Sequence, residues 1–428
     1  MARAIAPTPA APAHVSAERT PVLSALWPIS GATRDIIALD GLRGIAVLLV
    51  VFMHMFVWMR GVVSPASAAI LGRTEDVWGF GTTGVELFFV LSGFLLFMPY
   101  ARALLGLKRF PSTRKFYTRR VLRIVPAYWV ALLITIVAGM QTFLPALAPA
   151  NGIGWQNFLL HFLFLHNADY QVDFSMNSVY WSMAVEAQFY LLLPLLALFA
   201  CNLVITGRTR LLRILVVAAL LLTPATQVFI WVLSIASPGL YEHRNIFDVP
   251  AYSILFLTGM LCSVAYIKLT EANGKVGWLR VGDATTIRRL CAIGALTVIV
   301  YIVLVRALGN KGLMLDGGGT LFNSLFAYHL LALAYGSLLL AAVLGKSLWR
   351  LVLSSAPLRF VGLVSYSIYI WHWPLYQHVI VPVVGHVHSD ALRALAFFTL
   401  VLLVVIPVGY LSYQFTERPF IRFRMAAH

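Results

Sequence analysis

Hydrophobic residues in this chain gather into long unbroken runs separated by short polar and mostly basic segments. Runs of about 20 residues, the length needed to cross a bilayer as a helix, fall at 39–60, 84–105, 124–144, 180–203, 211–235, 250–268, 290–308, 321–344, 361–383 and 391–414. The pattern predicts an all-α, polytopic integral membrane protein with about ten transmembrane helices. One further run, WQNFLLHFLFLH over 155–166, is too short to span and reads as an interfacial or re-entrant helix on the outer side.

Composition sharpens this picture. The chain has 428 residues, 60% hydrophobic and only 11% charged, with a mean hydropathy of +0.85, which excludes an ordinary soluble domain. The net charge of +16 does not point to nucleic acid, because the basic residues punctuate the apolar runs. Of the 32 Lys and Arg residues, 25 lie in 1–38, 102–123, 204–213, 268–289, 345–360 and the C-terminal end, while the intervening loops hold only Arg60, Arg73, Arg244, Arg306, Lys311 and Arg393. The positive-inside rule then places both termini in the cytoplasm. Residues 1–38, rich in Ala and Pro and without a signal-peptide core, are expected to form a disordered cytoplasmic tail dispensable for any chemistry. Residues 39–419 form a single membrane domain and 420–428 a short cytoplasmic tail. Cys201, Cys262 and Cys291 are too few and scattered for a disulfide framework and are expected as reduced thiols. The sequence leaves the oligomeric state open.

Ionisable groups inside apolar runs are costly and mark function by default. In DGLRGIAVLLVVFMHM, over 40–55, Arg43 and His54 lie eleven residues apart and so share a helix face, roughly 16 Å from each other. They read as a functional pair, or as a snorkelling anchor and a separate packing histidine. With entry from the cytoplasm, His54 lies about 22 Å along the first helix, and Glu186 about 9 Å into the fourth from the outer face. A carboxylate at that depth would orient the imidazole of a general base; the alternative is a structural partner for a buried cation. Arg120 and Arg123, at i and i+3, would put two guanidinium forks on one face, a geometry suited to phosphate. The rest of their basic cluster is explained by topology and anionic lipid headgroups. In GVELFFVLSGF, over 84–94, Glu86 is expected at the outer edge, and Ser92 and Gly93 mid-helix as a close-packing point. No GxSxG elbow surrounds Ser92, so it is not read as a nucleophile. His372 sits among Tyr366, Tyr369, Trp371 and Trp373, as a packing residue or a site residue. His386, His388 and Asp390 are spaced too tightly for a metal site, and no metal is expected.

Six ordered motifs resemble the acyltransferase-3 family: LDGLRGIA with a histidine eleven after its Arg (39–54), GVELFFVLSGFLL (84–96), RRVLRIVPAYW (119–129), WSMAVEAQFYLLLP (181–194), SYSIYIWHWPL (365–375) and TERP (416–419). The family consists of integral-membrane enzymes that acylate, most often acetylate, hydroxyls of bacterial surface glycans, and in some members of macrolides and other secreted metabolites. The resemblance implies a multi-pass O-acyltransferase of the bacterial inner membrane, moving an acyl group from cytoplasmic acyl-CoA, acetyl-CoA foremost, to a glycan, glycolipid or metabolite hydroxyl. It makes His54 the general base with Glu186 and Arg43, and Arg120 and Arg123, with Arg43, the holders of the donor. Asp40, Glu86, Ser92, Trp181, Tyr369 and His372 are candidate substrate contacts. The chain departs from the family in having Glu86 where Asp is common and Ala187 where a second Glu is common. It is expected to follow the branch without a fused SGNH-type domain. The rival readings are a transporter or flippase of lipid-linked sugars, against which stands the lack of Gly/Pro-broken helices in corresponding halves, and acylation of a small molecule such as a macrolide at the inner face.

Overall fold

A computed structural model describes residues 37–140, 154–168, 170–236, 248–307 and 326–420. In chain order the helices that matter are α1 (Ala38–Val62), α2 (Pro65–Arg73), α3 (Gly84–Leu104), α4 (Thr113–Val137), α5 (Gly154–Phe162), α6 (Trp181–Ile205), α7 (Thr209–Ala236), α8 (Asp248–Thr270), α9 (Ala284–Ala307), α10 (Tyr328–Leu344), α11 (Ala356–Leu363) and α12 (Ser365–Leu375). A last segment, α13, spans Asp390–Phe420. Among the described residues, eight helices are long and apolar enough to cross a membrane: α1, α3, α4, α6, α7, α8, α9 and α13. The expected all-α polytopic class stands. The two remaining runs have a different form. The described part of 321–344 is the 17-residue α10, and 361–383 is a chain of short helices, α11, α12 and their continuation to Gly385, which includes a wide π-type stretch at Tyr376–Ile380. The expected 1–38 tail lies almost wholly outside the described residues, as does most of 420–428.

Local chemistry moves one boundary. The third span was expected from 124, yet α4 begins at Thr113, because the Ser112 hydroxyl accepts from the Lys115 N–H and caps the helix start. The RRVLR motif is therefore helical, not a connecting loop, and Arg120 and Arg123 do share one face.

Close helix contacts hold the bundle together. Gly93 of α3 faces the Phe256 carbonyl of α8, and Gly259 of α8 faces the Val90 carbonyl of α3. No Cβ would fit at either point, so the backbones touch in the way small residues permit between helices in lipid. Gly41 and Gly44 of α1 and Gly362 of α11 make the same kind of approach, Gly362 lying against the Asp40 carbonyl. Helix α3 is the most enclosed of the long helices and α7 the least. On α6, Leu191, Leu195, Leu196, Leu198 and Phe199 are exposed, a face that lipid would cover. Ends are tied by polar contacts: Arg102 grips Glu271 through two nitrogens, at 2.6 and 2.8 Å. The Asp390 carboxylate accepts from Ser64 and Ser67 at 2.5 and 2.7 Å. All three cysteines are free thiols.

Candidate active site

The candidate residues separate into two groups on either side of Tyr369. The first lines a cavity between α1, α3, α4, α6 and α12. Arg43, Arg120 and Arg123 line it together, with Ser92, Glu186 and Tyr190. The Ser92 hydroxyl donates to Glu186 Oε1 at 2.6 Å, and the Tyr190 hydroxyl donates to the same oxygen. Tyr190 lies four residues after Glu186, one helical turn on, and the Arg120 guanidinium stands 6.0 Å from its ring centroid. Arg43 is within electrostatic range of Arg123, Asp40, Tyr190 and Glu186. The cavity volume is about 70 Å³, room for several waters.

Behind this wall lies a carboxylate that sequence reasoning did not assign. Glu417, in the TERP motif, is fully buried and accepts from the Ser367 hydroxyl at 2.6 Å, within electrostatic range of Arg123 and Arg43. A π-type stretch at Tyr413–Glu417 carries it inward. Its only sequence signal was the motif itself.

The second group surrounds His54. Its Nδ1 is 2.9 Å from Nε2 of His372 on α12, and the Trp373 ring meets it edge-on at 5.0 Å. Trp58, one turn further along α1, lies 5.3 Å from Trp373. Among the described residues the indole N–H groups of Trp58 and Trp373 are buried without a hydrogen-bond partner, and buried unpaired donors are rare enough to need an explanation. The Tyr376 hydroxyl donates to the Val51 carbonyl at 3.0 Å, pinning α12 and its extension to α1 beside His54.

Tyr369 stands between the groups. It lines the arginine cavity, its hydroxyl is 2.7 Å from the Ser182 hydroxyl and 3.0 Å from the Val179 carbonyl, and its ring centroid lies 5.7 Å from that of His372. Thus Arg43, Ser92, Arg120, Arg123, Glu186 and Tyr369 meet at one cavity, and His54 with His372 meets beyond it.

The structure places several of these residues away from one another. Glu186 does not hold His54: its Oε1 is taken by Ser92 and Tyr190, and the partner of His54 is an imidazole. Glu86 is buried, seven residues into the continuous helical segment 79–104 that the turn at Gly79–Thr83 opens. One Glu86 oxygen has no partner among the described residues, and Tyr301 and Tyr335 are within electrostatic range. Trp181 and Asp40 do not line the cavity. Trp181 packs in an aromatic cluster with Phe89 and Tyr252, and Asp40 faces Arg43, Arg359 and Arg123 electrostatically. Among the described residues no three His, Cys, Asp or Glu side chains converge as metal ligands would.

The profile of the family described as an acyltransferase domain matches residues 36–414. The chain belongs to the acyltransferase-3 family. Among curated proteins, peptidoglycan O-acetyltransferase OatA of Listeria monocytogenes is 26% identical over 407 residues, covering 89% of this chain and 55% of that protein. The putative peptidoglycan O-acetyltransferase YrhL of Bacillus subtilis is 27% identical over 404 residues, covering 90% and 55%. O-acetyltransferase OatA of Staphylococcus aureus is 24% identical over 412 residues, covering 89% and 56%. The chain spans about half the length of these relatives. No solved structure matches it.

Proposed function

We propose that this acyltransferase-3 protein is a membrane O-acyltransferase of the bacterial cytoplasmic membrane that moves an acyl group, acetyl foremost, from cytoplasmic acyl-CoA to a hydroxyl of a glycan or glycolipid presented toward the outer face. The observation that carries the reading is the arrangement along α1. Three arginines line the cavity at its Arg43 end, and His54, paired with His372 and met edge-on by Trp373, lies toward its other end.

Guanidinium forks suit phosphate oxygens, so the arginine cavity receives the donor's phosphates. Tyr369 lies between the cavity and His372, so the pantetheine arm runs past Tyr369 to reach His54. Glu186, held by Ser92 and Tyr190, balances the charge of the arginine array. His54 Nε2 takes the proton of the acceptor hydroxyl as its oxygen attacks the thioester carbonyl. The C–S bond then breaks, and the thiolate recovers the proton from His54, leaving the ester and free CoA. Enclosure among aromatic rings limits competing hydrolysis. The relatives named for peptidoglycan O-acetylation support a glycan as acceptor class.

The test is turnover of acetyl-CoA by the purified protein in liposomes with a lipid-linked glycan. Release of CoA with acetylated acceptor is expected. A protein that releases no CoA yet moves the glycolipid between leaflets would be a flippase, and the reading would fail.

A further inference from the structure

The His54 and His372 rings are joined edge to edge. Their planes differ by 26° and their centroids lie 5.1 Å apart, the separation of two imidazoles linked in-plane through the 2.9 Å contact between His54 Nδ1 and His372 Nε2. A face-to-face stack looks different, as the parallel His161 and His166 rings show, with 6° between planes and centroids 4.3 Å apart.

The other end of the pair is anchored. His372 Nδ1 is 2.6 Å from the Tyr369 carbonyl, with the Ile368 carbonyl also in range. A carbonyl only accepts, so His372 Nδ1 must carry the proton. In the neutral ring Nε2 is then an acceptor, and the contact with His54 forms only if His54 Nδ1 is the donor. One backbone carbonyl thereby fixes two tautomers in sequence. What remains is His54 Nε2, which has no hydrogen-bond partner among the described residues and belongs to a partly exposed side chain.

We propose that His372 is the positioning residue of the reaction: through the Tyr369 carbonyl it holds His54 as the Nδ1–H tautomer and leaves the Nε2 lone pair as the base. This rests on the acyl-transfer reading above. It gives to a second imidazole the part that a carboxylate plays beside the histidine of a serine-hydrolase triad. When His54 Nε2 takes the acceptor proton, the resulting imidazolium donates through Nδ1 to His372 Nε2, a charge-assisted bond stronger than the neutral one. The proton returns from Nε2 to the departing thiolate, and the histidine pair ends as it began. The backbone that carries the anchoring carbonyl is itself fixed, since the Asn177 side chain donates to the neighbouring Ile370 carbonyl at 3.0 Å.

Two measurements on the full-length protein in lipid test this. The first is nitrogen-15 NMR of histidine-labelled protein, its eleven histidines assigned through the H54Q and H372Q variants. Both rings should be Nδ1–H with Nε2 unprotonated, and in H372L His54 should shift toward the Nε2–H form. Finding His54 as Nε2–H in the wild type overturns the proposal. The second is acetyl-CoA kinetics. H372L should lose about 10²-fold in kcat with donor KM little changed, while H372Q, whose amide oxygen can accept from His54 Nδ1, should recover at least a tenth of wild-type kcat. Equal losses in both variants would reduce His372 to packing and overturn the proposal. The NMR readout needs no turnover, so a protein with the expected tautomers but no acyl transfer would refute the acyl-transfer reading, while transfer with His54 as Nε2–H would refute only the role of His372.

Discussion

Replacing Arg120 and Arg123 separates phosphate recognition from simple topology. Both line the cavity, and each charge-assisted contact to a phosphate is worth about 1.5–3 kcal/mol. Each lost contact should therefore weaken CoA binding by roughly 10- to 100-fold. Arg123 has a second job, as its charge also reaches the buried Glu417, so R123A by itself leaves a buried carboxylate less compensated and lowers stability as well. Adding E417Q removes that complication, because glutamine can still accept from Ser367. The assay is calorimetric titration of R120A and of R123A/E417Q in nanodiscs with CoA, beside a competition series with acetyl-pantetheine, which lacks the phosphates. Binding of CoA should fall while binding of acetyl-pantetheine holds. If both ligands weaken equally, or CoA binding is unchanged, the arginines serve topology and lipid contact, and the phosphate assignment is wrong.

Other consequences follow from the contacts described. E186Q should alter donor KM more than kcat, since Glu186 touches Ser92 and Tyr190 and not His54; a kcat loss of about 10²-fold with unchanged KM would return it to the role of orienting the base. G93A and G259A would each press a methyl group into a facing backbone carbonyl, costing about 1–3 kcal/mol as the helices separate, to be read as a lower midpoint of thermal unfolding in detergent. An unchanged midpoint would mean that α3 and α8 do not touch there. Arg102 bonding holds the Glu271 carboxyl below its ordinary value of 4.5, so its contribution is present above that pH and lost as pH falls through the lowered value. At this exposed pair the effect is at most about 1 kcal/mol. The stability difference between wild type and R102Q should therefore be flat at neutral pH and shrink under acid; a difference that grows on acidification contradicts the pairing.

Much of the architecture could be read from the chain because hydrocarbon imposes so narrow a choice. Apolar length alone located α1, α3, α6, α8 and α9, and the i, i+3 spacing placed Arg120 and Arg123 on one face. Boundaries set by polar chemistry were less visible: the Ser112 cap lies in a basic segment that hydropathy reads as a loop, and α11 and α12 break an apolar run whose composition hides the break. The site was legible as an inventory more than as an arrangement. Depth along α1 and α6 made Glu186 a plausible partner for His54, but depth says nothing of azimuth, and α6 turns Glu186 toward Ser92. The contact between His54 and His372 joins residues 318 positions apart, and Glu417 approaches Arg43 and Arg123 from the end of the last helix. Neither leaves a local pattern.

The central claim is that His54 is the base for transfer from a donor held at the arginine cavity. It is tested most directly by following labelled acetyl-CoA with purified wild-type and H54A protein in liposomes containing a lipid-linked glycan. The account predicts that H54A binds CoA as wild type does but acetylates no acceptor above background. Acceptor acetylation by H54A at a rate near that of wild type would contradict it.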